Sequence, residues 1–139
     1  MFESKHFQEH EFACKCGCGL CNPDPDLVAG LDLFRDIIGA PVIIDDACRC
    51  EKHNAAVGGV PGSQHPSGTA ADIRVAGKTT LELYGVARRV HKFFTGGIGL
   101  YDTDFIHVDV RQGVARWSRL DGKYCKLTDF PGYSTAVNG

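Results

Sequence analysis

The sequence predicts an α+β fold: a small, mainly antiparallel sheet with helices packed on one side. Two observations lead to this prediction. Segments with a helical spacing of apolar residues stand early and in the middle of the chain, whereas strand-like runs cluster in its later half. A regular alternation of strands and helices, which would indicate a doubly wound nucleotide-binding sheet, is not seen.

Three helices are expected. The turn over 22–26 supplies an N-cap and first-turn residues for a helix over 25–38, and Gly39 is its natural stop. A short helix over 51–57 and a longer one over 79–94 follow. The apolar stripe of the last helix consists of Leu83, Val86, Val90 and Phe94.

Five segments have the β-branched or alternating character of strands; they are 41–44, 71–75, 97–101, 105–110 and 114–118. With a period of two, Ile106 and Val108 face the core, whereas His107 and Asp109 point to the opposite side. Asp72 likewise opposes its apolar neighbours in the earlier strand. One face of the sheet is therefore expected to carry polar side chains.

Length and composition indicate a single domain over 1–139, with a core over about 6–118 and a C-terminal extension over 119–139. The net charge of -2 includes no basic patch, which argues against nucleic acid as a partner, and no apolar segment is long enough to cross a membrane. A monomer is expected. The start of the chain has no signal-peptide pattern, so synthesis in the cytoplasm without export by its own signal is expected.

The chain has seven cysteines. Without an export signal, reduced thiols or a small metal site are favoured over disulfides. The run CKCGCGLC allows a second, structural metal at Cys14, Cys16, Cys18 and Cys21. It lacks the paired CxxC spacing of zinc fingers, so the alternative is a Gly-rich turn whose small thiols pack inward.

Three potential metal ligands stand out. His65 precedes one strand, while Asp72 and His107 lie on the polar faces of two strands. Two imidazoles and a carboxylate would leave a fourth position open, which is the arrangement of catalytic zinc. Spacing alone leaves the ordinary alternatives open: a histidine satisfied in the core, and an aspartate that caps a turn.

The pattern Ser63-x-His65-x-x-Gly68-x-Ala70-x-Asp72, followed by Asp104-x-x-His107, resembles the zinc D-alanyl-D-alanine carboxypeptidase family. That family also contains L-alanyl-D-glutamate endopeptidases and D-Ala-D-Ala dipeptidases, and its fold is shared with the hedgehog signalling domain. The resemblance extends from about residue 6 to residue 117. It implies one catalytic Zn²⁺ bound by His65, Asp72 and His107.

The resemblance also implies roles for other residues. The acidic residue three positions before the last zinc histidine would be the general base, which indicates Asp104. Asp104 can reach the site only if 101–104 bends as a turn, so Asp109, which shares a face with His107, is the alternative base or a carboxylate that orients this imidazole. Arg49 would steady the substrate, and Ser63 would brace the turn or a substrate group.

The resulting hypothesis is a zinc metallopeptidase that cleaves peptidoglycan stem peptides, as a carboxypeptidase or an endopeptidase. A wall substrate without an export signal suggests a lysin-like enzyme encoded by a phage or prophage. The alternative is a non-catalytic zinc-binding module of the same fold. Trp117 is expected beneath the sheet in the core, with a place in the cleft as its alternative.

Overall fold

The structure, a computed structural model, describes residues 2–60 and 62–134. Its six strands are β1 Ile43–Asp46, β2 Ala70–Arg74, β3 Gly97–Tyr101, β4 Phe105–Asp109, β5 Ala115–Leu120 and β6 Lys123–Cys125. They form one sheet in the order β1-β2-β4-β3-β5-β6. Only β3 and β5 pair in parallel, and the other neighbours are antiparallel. The predicted α+β class with a mainly antiparallel sheet is confirmed.

The helices are α1 Pro25–Ile38, α2 Glu51–Ala56, α3 Thr80–Ala87 and α4 His91–Phe94, with short 3₁₀ turns at Glu9–Phe12 and Leu127–Asp129. The first helix has the predicted bounds. The Asp24 side chain accepts a hydrogen bond from the Asp26 amide at 2.8 Å at its start, and Gly39 ends it with φ of 67°. A left-handed residue at this position suits glycine, which has no Cβ to clash.

The single helix predicted over 79–94 is wrong in one respect, because the chain breaks it into α3 and α4. Val90 adopts an extended conformation between them, with φ of -94° and ψ of 111°. This turn buries both Val90 and Phe93 while leaving Phe94 half exposed. A continuous helix would instead have pointed Val90 and Phe94 to the same side.

The hydrophobic core lies between the sheet and the helices. α3 and α4 pack on β3 and β4, and α1 packs on both of those helices. The approach of α4 to α1 is close, since a Cβ on Gly30 would lie 2.9 Å from the Phe93 ring. The largest fully buried side chains are Phe12, Phe34, Phe93, Leu27, Leu31, Ile73, Leu83, Ile98, Leu100, Ile106, Val90 and Val108.

The opposite face of the sheet carries polar side chains, as the alternating pattern predicts. Pairing places Asp72 opposite His107, His107 opposite Gly99, and Gly99 opposite Trp117. Directly paired residues share a face, so these positions form a row across four strands. This row is the floor of the candidate site.

Two strand predictions differ from the structure. β1 begins at Ile43 instead of residue 41 and continues to Asp46, and β6 was not predicted. β5 continues to Leu120 and pairs with β6, so the sheet extends past residue 118, where the core was predicted to end. The single-domain organisation stays a prediction. Within the described residues, no helix is both long and apolar enough to cross a membrane.

Candidate metal centre

The polar face of the sheet brings together the three predicted metal ligands. Asp72 in β2 and His107 in β4 are directly paired, and His65 reaches them from the loop before β2. All three residues are buried. One ligand atom from each side chain lies within 4.8 Å of the others.

The donor atoms of the cluster can be identified from its contacts. Oδ1 of Asp72 lies 3.3 Å from Nε2 of His65 and 3.2 Å from Nδ1 of His107. The outer nitrogens of the two rings have other partners. Nδ1 of His65 lies 2.7 Å from the carbonyl oxygen of Ala47, and Nε2 of His107 lies 2.7 Å from Oδ2 of Asp109.

These outer contacts fix the tautomers of the two histidines. A carbonyl oxygen only accepts hydrogen bonds, so Nδ1 of His65 must carry the proton. The Asp109 carboxylate likewise accepts the proton on Nε2 of His107. In their neutral forms both rings therefore direct a lone pair at Oδ1 of Asp72. Three electron-rich atoms repel one another, so a positive charge between them is needed to stabilise this arrangement.

The electrostatics of the cluster agree with this conclusion. Burial opposes ionisation of Asp72, but hydrogen bonds to His107 and His65, which these rings can donate only when both of their nitrogens carry protons, hold the pKa of its carboxyl below the usual range. Burial would also lower the pKa of His107, yet the carboxylates of Asp109 and Asp72 raise it. The site thus attracts positive charge. Two imidazole nitrogens and a carboxylate oxygen are ordinary ligands of zinc, so the residues fit a zinc ion.

Asp109 orients His107 and is itself enclosed by hydrogen-bond donors. Its side chain is 0% exposed and accepts hydrogen bonds from the Gly97 amide at 2.9 Å and from Nε and Nη2 of Arg111 at 2.9 and 2.6 Å. Burial raises the pKa of Asp109, but hydrogen bonds from His107 and Arg111 more than offset this and lower it below the usual range. A Cβ on Gly97 would lie 2.2 Å from Oδ2 of Asp109, so this strand position requires glycine.

The structure places the predicted base Asp104 apart from the cluster. Residues 101–104 do turn, and Asp104 has φ of 67°. Its side chain is exposed and lines a second cavity with Arg74 and Thr79, whereas the cavity at the cluster does not include it. This position disfavours Asp104 as the general base, and that role stays a prediction.

Arg49 lies beside the cluster, as predicted. Its Nη2 contacts Oδ2 of Asp72 at 3.3 Å, its Nε donates to Asp46 at 2.6 Å, and its Nη1 donates to Asn54 at 3.0 Å. Arg49 therefore holds the outer oxygen of the Asp72 carboxylate while Oδ1 faces the histidines. The guanidinium has five N–H donors, so some remain free for a substrate.

Ser63 braces the turn that delivers His65. Its hydroxyl accepts a hydrogen bond from the His65 amide at 3.2 Å, and the residue also lines the cavity. The end of this turn passes very close to the segment before α1. Gly68 has φ of 75°, and a Cβ there would lie 1.9 Å from the Asn22 carbonyl oxygen. Only glycine fits, which explains this position of the motif.

A cavity of about 630 Å³ opens above the cluster. Trp117 lines it and does not lie beneath the sheet, which corrects the expectation of a core position. The Trp117 ring centroid lies 5.0 Å from that of His107, and a Cβ on Gly99 would come within 2.4 Å of the indole. Glycine at this position of β3 therefore makes room for an aromatic wall.

Three further residues support the site, and sequence reasoning missed Tyr101 among them. Asn54 is buried and holds Arg49, Arg111 holds Asp109, and the Tyr101 hydroxyl accepts a hydrogen bond from the Trp117 indole at 3.4 Å. The position of Tyr101 at the end of β3, directly before the turn, was the available signal for its place at the cavity.

The cysteine prediction needs a correction. Among the described residues, Cys14, Cys16 and Cys18 cluster with Cys50 and not with Cys21. Cys21 donates instead to the carbonyl oxygen of Glu9 at 3.4 Å. The fourth thiol comes from the start of α2, far along the chain, so local spacing could not identify it.

The sequence was compared with models of known protein families. A family model described as Peptidase M15 matches residues 5–109, which is well over half of the chain and includes all three clustered ligands. No curated protein matches the chain. With the His65–Asp72–His107 cluster inside the matched region, the chain belongs to the peptidase M15 family of zinc metallopeptidases.

Proposed function

We propose that this zinc metallopeptidase hydrolyses peptide bonds in peptidoglycan stem peptides. The observation that carries the proposal is the charge of the cavity above the cluster. Arg49, Arg111 and Arg119 line it, and among its described lining residues Asp72 is the only carboxylate. Such a cavity favours a peptide that carries carboxylates of its own.

Arg119 and Tyr124 form the outer wall. The Arg119 guanidinium lies 4.4 Å from the centroid of the Tyr124 ring, and no carboxylate of the described residues is within ion-pair distance of it. A guanidinium offers a planar pair of donors to a carboxylate. Stem peptides contain free carboxylates next to their D-residues, and their chemistry suits this wall.

The residues of the centre have distinct tasks in the proposed reaction. His65, Asp72 and His107 would hold the zinc ion, which when bound supplies Lewis-acid activation of water and of the scissile carbonyl. Asp109 keeps His107 in the required tautomer, and Arg49 fixes the carboxylate of Asp72. Burial raises the pKa of Tyr101 to about 12, so its hydroxyl stays protonated and can donate to a substrate oxygen.

The test is digestion of purified peptidoglycan and of isolated stem peptides by the zinc-loaded protein, with products identified by mass spectrometry. Release of D-alanine would identify a carboxypeptidase, and release of peptides from the glycan would identify an L-alanyl-D-glutamate endopeptidase. His65→Ala should abolish either product. Intact stem peptides after incubation with zinc-loaded, folded protein would contradict the proposal.

A control for charge recognition is Arg119→Gln, compared with Arg116→Gln on the same strand. The Arg116 guanidinium donates to the backbone carbonyl oxygens of Gly96 at 2.7 Å and Ala115 at 2.9 Å, and it is not among the residues that line the cavity. Arg119→Gln should raise KM for stem peptides with little change in kcat. An equal rise in the Arg116 variant would show that the effect does not come from the cavity.

One observation favours a second candidate, a zinc-binding module without catalysis. Neither predicted base offers a free carboxylate to the cavity: Asp109 is enclosed by its five hydrogen-bond donors, and Asp104 lines a different cavity. This candidate predicts zinc bound at the His65 cluster with no hydrolysis of any stem peptide. The digestion experiment therefore separates the two functions.

A further inference from the structure

A second cluster of metal-binding atoms lies outside the catalytic cavity. The sulfur atoms of Cys14, Cys16, Cys18 and Cys50 all lie within 4.8 Å of one another. Sγ of Cys14 is 3.4 Å from that of Cys16 and 3.9 Å from that of Cys50, and the sulfur atoms of Cys16 and Cys50 are 3.7 Å apart. None of these residues lines the cavity at His65.

These distances match the geometry of a tetrahedral metal site. Four thiolates at the usual zinc–sulfur distance of about 2.3 Å would have sulfur atoms about 3.8 Å apart along each edge of the tetrahedron. A disulfide would bring two sulfur atoms to about 2.0 Å, and all seven cysteines are free. The cluster is therefore arranged around a common centre and is not paired.

The backbone is shaped to present the thiols. Residues 14–20 form a closed loop, in which the Cys14 amide donates to the Leu20 carbonyl oxygen at 2.8 Å. Two glycines with left-handed φ, Gly17 at 84° and Gly19 at 88°, curve this loop. Three cysteines at alternate positions of this tightly curved loop can then converge on one point. In a regular strand their side chains would point to the same side but stand about 6.6 Å apart.

Backbone amides also point at the sulfur atoms. The Cys50 amide donates to Sγ of Cys14 at 3.4 Å, and the His53 amide donates to Sγ of Cys50 at 3.3 Å. Such donors stabilise negative charge on sulfur, as they do around bound metals. Cys16 and Cys18 are exposed, so an ion can reach the cluster from solvent.

The remaining cysteines near the loop are engaged elsewhere. Sγ of Cys21 donates to the Glu9 carbonyl oxygen at 3.4 Å, while Sγ of Cys48 accepts from the Asn22 amide at 3.2 Å in a fully buried position. Their sulfur atoms are not part of the four-atom cluster. The separation between ligand and non-ligand cysteines provides matched controls.

We propose that Cys14, Cys16, Cys18 and Cys50 bind a structural zinc ion with four thiolates. Four protein ligands leave no open position for a substrate, so the site stabilises the fold and does not react. The ion ties the loop of residues 14–20 to the start of α2. Because Cys50 follows Arg49 directly, the same ion fixes the backbone beside the residue that contacts Asp72.

The experiment counts metal in the full chain, purified under reducing conditions with zinc, by elemental analysis. Four proteins are compared: wild type, Cys50→Ser, the matched control Cys21→Ser, and His65→Ala. The expected zinc contents are two ions per chain in wild type and in Cys21→Ser, and one in Cys50→Ser and in His65→Ala. A Cys50→Ser protein that keeps as much zinc as wild type would overturn the proposal.

A second measurement covers the case in which Cys50→Ser fails to fold. The His65→Ala protein is stripped and reloaded with cobalt, which leaves the cysteines as the site to be observed. A tetrathiolate site gives an intense sulfur-to-cobalt charge-transfer absorption, and the four thiols become protected from a thiol reagent. Absence of the absorption, with all seven thiols reactive after denaturation and no thiol of the folded protein better protected with cobalt than without it, would contradict the site.

The same data distinguish this proposal from the proposed function. One zinc ion that is lost in Cys50→Ser but kept in His65→Ala would support the cysteine site and contradict zinc at the catalytic cluster. One zinc ion that is kept in Cys50→Ser and lost in His65→Ala would overturn the cysteine site and leave the proposed function intact.

Discussion

Asp109 contacts His107 from outside the cluster of proposed metal ligands. It accepts the proton of Nε2 of His107 and is itself held by Gly97 and Arg111. The free nitrogen of His107 therefore points at Asp72. Removing the charge of Asp109 should weaken the metal centre through the orientation of one imidazole.

We expect Asp109→Asn to lower the zinc affinity of the catalytic cluster by about 10–100-fold, the usual effect of losing such an outer partner. Competition with a chromogenic chelator measures this in a protein whose cysteine site is saturated. The matched control is Asp104→Asn, which removes a carboxylate outside the cavity. If both variants bind zinc as wild type does, Asp109 does not position His107.

Gly97 offers a second test at the scale of one residue. Gly97→Ala would place a methyl group 2.2 Å from the Asp109 carboxylate, and overpacking of this kind destabilises by about 1–3 kcal/mol. Gly85→Ala is the control, because Gly85 lies on an exposed part of α3 with no atom within 4 Å of a new Cβ. It should instead stabilise by about 0.5–1 kcal/mol.

Urea unfolding followed by circular dichroism measures both glycine variants, with the zinc content of each recorded. A Gly97→Ala protein as stable as wild type, with its full zinc content, would show that the carboxylate can move aside without cost.

At this scale the sequence predicted which three side chains cluster better than it predicted their surroundings. His65, Asp72 and His107 follow from a motif and from strand alternation, both of which are local patterns. Asn54 and Tyr101 act through side-chain contacts that no local pattern specifies. The place of Asp104 outside the cavity could not be predicted, because a spacing of three residues does not specify how a turn directs a side chain.

Among the elements, α2 and the loop after it support Arg49. Asn54 in α2 accepts a hydrogen bond from Arg49 and donates one to the Val60 carbonyl oxygen at 3.0 Å. The packing is tight, since a Cβ on Gly59 would lie 2.1 Å from the Asn54 side chain. This helix therefore couples one wall of the cavity to the guanidinium beside Asp72.

We expect Asn54→Ala to destabilise the protein by about 1–3 kcal/mol, because it leaves buried polar partners unsatisfied. It should also raise KM for the cleaved stem peptide several-fold while the chain keeps its zinc. Lys52→Ala, an exposed change in the same helix, is the control. Steady-state kinetics with metal analysis would contradict this role if the Asn54 and Lys52 variants behaved alike.

The elements that the sequence did not predict have a common cause. Nothing local ends the helix after Ala87, and the break arises because it lets both Val90 and Phe93 reach the core. β6 is short, mostly exposed and defined by its pairing with β5. In both cases tertiary contacts decide the outcome, and intrinsic propensity is too weak to reveal it.

For the whole molecule, the two proposed metal sites predict that stability depends on metal. Ligands that bind only the folded state stabilise it by mass action, about 4 kcal/mol at a thousandfold excess over Kd. Stripping one such site with a chelator should therefore lower Tm by about 14 °C, and stripping both by about twice as much. Differential scanning calorimetry checks this, with the calcium-loaded chelator as control, and restored zinc should restore Tm.

If Tm is unchanged after removal of all bound zinc, neither cluster contributes to folding. If His65→Ala shows the same fall in Tm on chelation as wild type, the stabilising ion is held by the cysteines. Together, the two results show which cluster holds the ion that stabilises the fold.

The class of the fold was predictable from the whole sequence, because helical and alternating patterns are distributed unevenly along it. The membership of the cysteine cluster was not. Cys50 joins Cys14 only because the loop of residues 14–20 packs against the start of α2. Spacing within CKCGCGLC could suggest a metal but could not choose its fourth ligand.

The pairing of Asp72 with His107 has a consequence for how the centre exchanges its ion. β4 lies between β2 and β3, so two of the three donors belong to strands whose amides should exchange with deuterium only on global unfolding. His65 lies on a loop outside the ladder, held by Ala47 and by the Ser63 turn. Release of the ion should therefore begin with His65, at a rate set by local opening of one turn.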